Sequence, residues 1–303
     1  MYEEYYGFVE KPFSLTPDPK YLYRSESHAN AFELLKYAID RHEGFAVITG
    51  DIGTGKTTLC RALLDQTDKK TFTALLLNPF LSEEDLLKAI LQDLGVLSRN
   101  DPSASLGAGE RLTRHPSKQD LISTLYDFLL SLVPLGARAV LIIDEAQNLP
   151  LQILEQIRIL SNLETDKEKL LQIILVGQLN LVPLLRSAEL RQLDQRISIR
   201  YQLKPLAEDE VTAYVAHRLA IANGTRMVTF SPQALRLVHQ VSAGIPRLIN
   251  LLCDRALLGA YSAQTTRVDA DIVSAAADGL ELSRPEPERR PWFSRFRRVQ
   301  PSL

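Results

Sequence analysis

The octapeptide GDIGTGKT at residues 50–57 follows directly on the apolar run FAVIT (45–49) and leads into a helical stretch ending near Leu64. A buried strand, a glycine-rich turn and a helix in that order fix the local topology and leave the chain few folds to adopt. The match to G-x-x-x-x-G-K-[ST] is complete and stands in the context its mechanism needs. Glycines let backbone N–H groups turn inward around phosphates, and the helix amino terminus adds favourable potential. The nucleotide contacts expected are therefore Gly50, Asp51, Ile52, Gly53, Thr54, Gly55, Lys56, Thr57 and Thr58. Lys56 is suited to the β- and γ-phosphates, and the Thr57 hydroxyl to Mg²⁺. The bland alternative is a glycine-rich turn without a ligand, and the full match in this context argues against it.

A second string, VLIIDEAQ at 140–147, supplies the carboxylates. Asp144, at the end of a buried strand, can hold the magnesium water shell beside Thr57. Glu145 can polarise the water that attacks the γ-phosphate. Alone such a pair is also what a solvated strand end looks like; beside the glycine-rich loop it reads as catalytic. Gln178, just after the apolar run 170–176, can sense the γ-phosphate or orient the water, and is equally compatible with a polar strand end. ELRQLDQRISIRY carries Arg191, Arg196 and Arg200. Arg191 or Arg196 can act as a finger completing a neighbouring subunit's site, or pair with a helix end. Arg247, in GIPR at the start of a later helix, can fold over the phosphates or face solvent.

Along the chain, strands are expected at 45–49, 72–77, 139–144, 170–176 and 197–201, alternating with helices, one of them over 151–164. That alternation predicts a parallel sheet covered on both faces. Beyond Pro205 the strand signals stop, and helices are expected at 208–221, 231–241, 246–261 and 269–277. The division is an aromatic and proline-rich arm (1–28), an α/β base (29–204), a helical lid (205–282) and a basic tail (283–303). The arm is expected to be ordered but irregular. Residues 97–116 are polar and aperiodic and read as a long exposed loop.

Composition sets limits on partners and compartment. The formal net charge is −2, so no global positive field advertises nucleic acid. Cys60 and Cys253 lie in neither metal-like nor redox-like spacing and read as buried free thiols in a reducing cytoplasm. The amino terminus, MYEEYYGFVEKPF, lacks the basic and apolar regions of a signal peptide, and no run of about 18 apolar residues occurs. The expected location is cytoplasmic, with any membrane contact peripheral. The tail interleaves Trp292, Phe293 and Phe296 with arginines, which suits an anionic inner-membrane surface or a partner, and equally a solvated tail.

These residues together resemble the AAA+ ATPases of the GspA/ExeA secretion family, from residue 1 to about 282. The pieces that carry the resemblance include YYGFVEKPFSLTPDPKYLYRS, GDIGTGKTTLCR, VLIIDEAQNL, LLQIILVGQLNL, ELRQLDQRI and SAGIPRLINLLCDRAL. The similarity is greatest to the short, exosortase-locus-like members. It implies an α/β P-loop NTPase (AAA+) fold with a five-stranded parallel base, a C-terminal helical lid, and nucleotide at their junction. It also implies Arg247 as the lid arginine, Gln178 as the strand-end sensor, a finger near Arg191 or Arg196, and assembly into a homo-oligomeric ring or filament. ATP and Mg²⁺ are the implied ligands, and secretion or envelope machinery the implied partners. Gly177-Gln178-Leu179-Asn180-Leu181 departs from the Gly-Gln-Pro-Glu-Leu common in that family. Larger members continue into a transmembrane helix and a peptidoglycan-binding domain without counterpart in these 303 residues.

Two function classes follow. One is an ATPase that powers or regulates assembly of an export machine. The other is a DNA-associated regulator like the TniB/TnsC transposition ATPases, which share the loop, the acidic strand end and the lid. A slow nucleotide-dependent switch is a variant of either. Sequence extent, the aromatic arm and the balanced charge favour secretion.

Overall fold

Every residue of β1 (Phe45–Gly50) and β4 (Leu171–Gly177) is buried, as strands covered on both faces require. The computed structural model, which describes residues 2–77, 82–98, 116–166 and 168–282, sets them inside a five-stranded sheet. With β2 (Thr71–Leu76), β3 (Arg138–Ile143) and β5 (Ile197–Leu203), the order is β2-β3-β4-β1-β5 and every pairing is parallel. The period of two along β3 sorts its side chains: Val140 and Ile142 enter one core, Leu141 and Ile143 the other. Helices α2 (Glu26–Asp40) and α3 (Lys56–Asp65) cover the first face through Phe32, Leu35, Leu59 and Leu63. Helices α4 (Glu83–Asp93), α5 (Lys118–Leu132) and α6 (Leu151–Leu160) cover the second. Ser82 caps α4, and Ser117 with Asp120 forms a reciprocal capping box on α5.

The strand β1 has β4 on one side and β5 on the other, while the chain leaving it crosses to β2 at the far edge. Its carboxyl end is therefore a switch point of the sheet, where α/β folds place ligands. After two short helices, α7 (Leu181–Leu185) and α8 (Arg191–Asp194), the edge strand β5 hands over to the lid. The lid packs α9 (Glu208–Ala222), α10 (Pro232–Ser242), α11 (Pro246–Ser262) and α12 (Ala270–Gly279) around Val211, Val238, Leu252 and Leu257.

Four details differ from the sequence expectation. The lid contains a two-residue parallel pair, β6 (Thr229–Phe230) with β7 (Arg267–Val268), too short to leave a periodic signal. The helix expected over 151–164 ends at Leu160, after which the chain turns and forms a bridge between Glu164 and Lys169. The arm is partly regular, with a helix α1 (Tyr2–Tyr6) and a 3-10 turn Pro19–Tyr21 capped by the Asp18 side chain. The arm also belongs to the lid core: Tyr2, Tyr6, Phe8 and Phe13 are buried in the same apolar cluster as Val211 and Leu257. Most of the loop expected at 97–116, and the tail 283–303, lie outside the described residues.

Candidate active site

The loop between β1 and α3 turns on two glycines that no other residue replaces easily. Gly53 and Gly55 have φ of +82° and +96°. A Cβ on Gly53 would stand 2.5 Å from Arg247 Cβ, and one on Gly55 3.0 Å from His28 Nε2. Thr54 is fully buried, with its hydroxyl donating to Asp51 O at 2.8 Å, so it braces the turn. Ile52 points outward at 62% exposure. Gly53, Thr57 and Thr58 line a cleft that runs from the loop to the lid.

Lys56 opens α3 and is buried. Its Nζ donates to Gly50 O at 3.0 Å and Asp51 O at 2.9 Å, two of three available donors. Burial lowers its pKa, and the nearby carboxylates of Glu145, Asp144 and Asp51 oppose that shift. The Thr57 hydroxyl donates to Asp144 Oδ2 at 2.5 Å, so the two residues expected to share magnesium already touch. Asp144 is buried just past β3 and accepts the Glu145 N–H on Oδ1 at 2.8 Å. Glu145 itself has φ +52° and ψ +35°, a left-handed backbone that turns the chain sharply off the strand. Its Oε2 accepts from Gln147 Nε2 at 2.6 Å and from Gln178 Nε2 at 3.3 Å.

The lid closes the opposite wall. Arg247 donates its backbone N–H to Gly53 O at 3.1 Å, which seats the start of α11 on the loop, and its side chain lines the cleft. Arm residues 14–18 and 21–23 complete the lining, together with Leu206, Tyr214 and Arg218. Arg218 donates to Pro12 O at 2.6 Å, Ser14 O at 3.2 Å and the Tyr214 hydroxyl at 3.0 Å. The three arginines at the end of the base stay off this lining. Arg196 donates to Ser161 Oγ at 2.7 Å and Arg200 pairs with Asp194 at 2.8 Å. Arg191 is exposed, and its side chain makes no hydrogen bond or ion pair to another described residue.

Three contributors escaped the sequence reading. His28 is buried under the loop: the Ser25 hydroxyl meets its Nδ1 at 2.7 Å, and its Nε2 meets Thr54 O at 3.0 Å. A carbonyl can only accept, so Nε2 carries the proton. Burial disfavours the charged ring, and a neutral ring with its proton on Nε2 accepts the Ser25 hydroxyl at Nδ1. Burial keeps its pKa below the usual histidine value. No local pattern marks it, because its partner lies 26 positions away. Gln147 stands inside the acidic string and has no signal beyond that. The arm's part in the cleft is announced only by its unusual density of aromatics and prolines.

A glycine-rich loop at the switch point of a 2-3-4-1-5 parallel sheet, an acidic pair at the neighbouring strand end and a helical lid define a P-loop NTPase of the AAA+ class. The AAA domain family matches residues 39–185. The chain is similar to general secretion pathway protein A of Aeromonas hydrophila, with 44% identity over 277 residues. That match covers 91% of this chain and 48% of the relative, so the chain spans about half the relative's length. Similar folds are the Aeropyrum pernix ORC2 protein (TM-score 0.64, 17% identity, 90% of this chain and 72% of that one). Cdc6p of Pyrobaculum aerophilum follows (0.65, 16%, 90% and 71%). The Thermotoga maritima RuvB Holliday junction branch migration motor is a third (0.54, 21%, 86% and 70%). No helix among the described residues is long and apolar enough to cross a membrane.

Proposed function

We propose that the chain binds and hydrolyses ATP with magnesium, and that this cycle powers or regulates assembly of a bacterial secretion or envelope-export system. The observation that carries the reading is the convergence of Lys56, Thr57, Asp144 and Glu145 beside one cleft walled by arm, loop and lid. A glycine-turned loop that leads into the start of α3 suits phosphate oxygens. Lys56 would exchange its two carbonyl acceptors for the outer phosphates. Thr57 and Asp144 offer hard oxygen donors, and Mg²⁺ commonly takes few protein ligands, with water and phosphate completing its shell. That fits a site where no group of three histidine, cysteine, aspartate or glutamate ligands occurs among the described residues. Bound there, magnesium would neutralise charge on the phosphoryl oxygens.

Glu145 is the base in this reading: its free carboxylate oxygen takes a proton from the attacking water, whose oxygen bonds to the γ-phosphorus as the bond to ADP breaks. Gln178 orients that water or senses the phosphate, and Arg247 brings the lid to it. Arg191 or Arg196 would act on a neighbouring subunit in a ring or filament, and Arg191 is the one whose side chain has no partner among the described residues. The base 29–204 and the lid 205–282 are the working bodies, with the arm 1–28 carried on the lid. The tail 283–303 is the candidate for peripheral contact with the inner membrane from the cytoplasm.

The test is ATP turnover per subunit against protein concentration, with and without duplex DNA at low salt. Turnover that rises with concentration and ignores DNA supports a shared-site oligomer in an export system. Strong, salt-sensitive stimulation by DNA would replace that role with the DNA-associated one. Lys56→Ala should lose ATP binding, and Glu145→Gln should bind but not turn over. Unchanged affinity in the first, or normal turnover in the second, would sink the site assignment.

A further inference from the structure

One polar side chain in this site has no part in the reaction outlined above. Gln147 sits in the 3-10 turn Ala146–Asn148, and its amide spans the gap between the ends of β3 and β4. Its Oε1 accepts the backbone N–H of Gln178 at 2.9 Å, and its Nε2 donates to Glu145 Oε2 at 2.6 Å. The backbone partner settles the amide's orientation: an N–H can only donate, so oxygen faces β4 and the NH₂ group faces the carboxylate. The last residue of β4 leaves room for this, since a Cβ on Gly177 would stand 2.7 Å from Gln147 Oε1.

The two amides on Glu145 are not equivalent. The Gln147 contact is the shorter, and its far end is held by a main-chain group of the sheet. The Gln178 contact is 3.3 Å long, and its side-chain amide has no other described partner. Both converge on Oε2, leaving Oε1 without a protein donor among the described residues. We infer that Gln147 is a positioning residue for hydrolysis: it holds Glu145 by Oε2 so that Oε1 faces the attacking water. It is the fixed support, while Gln178 is the exchangeable one, free to leave Glu145 for a phosphate. The sensor end of β4 and the hydrolytic carboxylate are thereby linked through one side chain. This inference rests on the ATPase reading.

Gln147→Met keeps the volume and removes both hydrogen bonds. The test measures its kcat and its affinity for a fluorescent ATP analogue, beside wild type and Glu145→Gln. A base left unoriented loses much of its advantage, so kcat should fall roughly tenfold or more while affinity stays within about threefold. In the Glu145→Gln background the same change should alter the residual single-turnover rate by less than about twofold, because Gln147 acts through Glu145. Gln147→Ala gives the same comparison should the methionine variant fold poorly, since the residue is only half-buried and truncation opens space that water can fill.

Turnover by both variants within about twofold of wild type, with Glu145→Gln inactive, overturns this inference and leaves the ATPase reading standing. Equal losses of kcat and affinity make Gln147 a structural prop and also overturn it. A wild-type chain that turns over no ATP at any protein concentration overturns both.

Discussion

Arg218→Met tests whether the arm is pinned to the lid by a buried charge. Arg218 is 5% exposed and has no carboxylate within ion-pair distance among the described residues. Its guanidinium is held over the Tyr21 ring at 4.4 Å and donates to Pro12 O, Ser14 O and the Tyr214 hydroxyl. Methionine fills much of the volume and supplies no donor. Tyr214 still donates to Asn250 Oδ1, so the groups left short are the two arm carbonyls. The buried Pro12 carbonyl left unsatisfied costs about 1–3 kcal/mol, and the part-buried Ser14 carbonyl less. The lost ring contact adds about 0.5–2 kcal/mol. Relief of the buried cation's desolvation, of order several kcal/mol, works the other way. A net destabilisation of about 2–4 kcal/mol is expected, typical of breaking a buried polar network. In urea this would move the lid's midpoint by about 1 M for a slope near 3 kcal/mol/M. Limited proteolysis supplies the local readout, since cleavage within the arm should speed up before cleavage of the base. Arg218→Lys should fall between, because an ammonium keeps the charge and loses the planar fork. A methionine variant within about 0.5 kcal/mol of wild type, with the arm equally protected, would refute the pinning argument.

Two further outcomes follow from the loop's surroundings. His28 is neutral and its pKa is held down by burial, so the unfolded chain binds the proton more readily. Stability should then fall as pH drops through the unfolded value near 6.5. His28→Gln should lose less thermal stability than wild type between about pH 7.5 and 5.5. His217 is also depressed by burial, so the comparison between the two proteins is what counts, and identical losses would refute the assignment. Gly53→Ala meets both a φ of +82° and the Arg247 Cβ at 2.5 Å. The backbone cost alone is about 1–2 kcal/mol, so ATP affinity should drop about tenfold. Unchanged affinity by calorimetry would mean the lid contact yields freely.

What the sequence disclosed follows the range of the interactions. Strand runs such as 139–144 and the loop 50–57 are readable because their signals are local: burial on two faces, glycine conformation, a lysine and threonine at fixed spacing. The capping residues Ser82 and Ser117 are readable for the same reason, each acting three positions away. The arm could be recognised as aromatic and ordered, yet not as lid core, since Tyr2 meets Asp254 and Tyr6 meets Thr265 O from the other end of the chain. β6 and β7 were unreadable because two residues carry no period. His28 and Gln147 were missed for a different reason. Each is an ordinary polar residue whose role comes from a main-chain group far along the sequence, Thr54 O for one and the Gln178 N–H for the other.

The arm's placement changes what the cleft can transmit. The base contributes the loop 50–57 and the acidic strand end; the lid contributes Arg247, Arg218 and Tyr214. The arm precedes the base in the chain, yet its aromatics are buried in the lid, and its residues 14–18 form part of the cleft wall. Any rotation of the lid against the base therefore carries the arm's share of the wall with it, unless the Arg218 network breaks first. The lid is anchored to the loop by the Arg247 N–H on Gly53 O, and the chain re-enters the base through Ser25 and His28, which support Thr54. The lid contact at Gly53 O and the His28 contact at Thr54 O thus fall on adjacent residues of one loop. A ligand gripping the loop would act on both, and its binding energy would reach the lid, on whose surface Met227 is exposed.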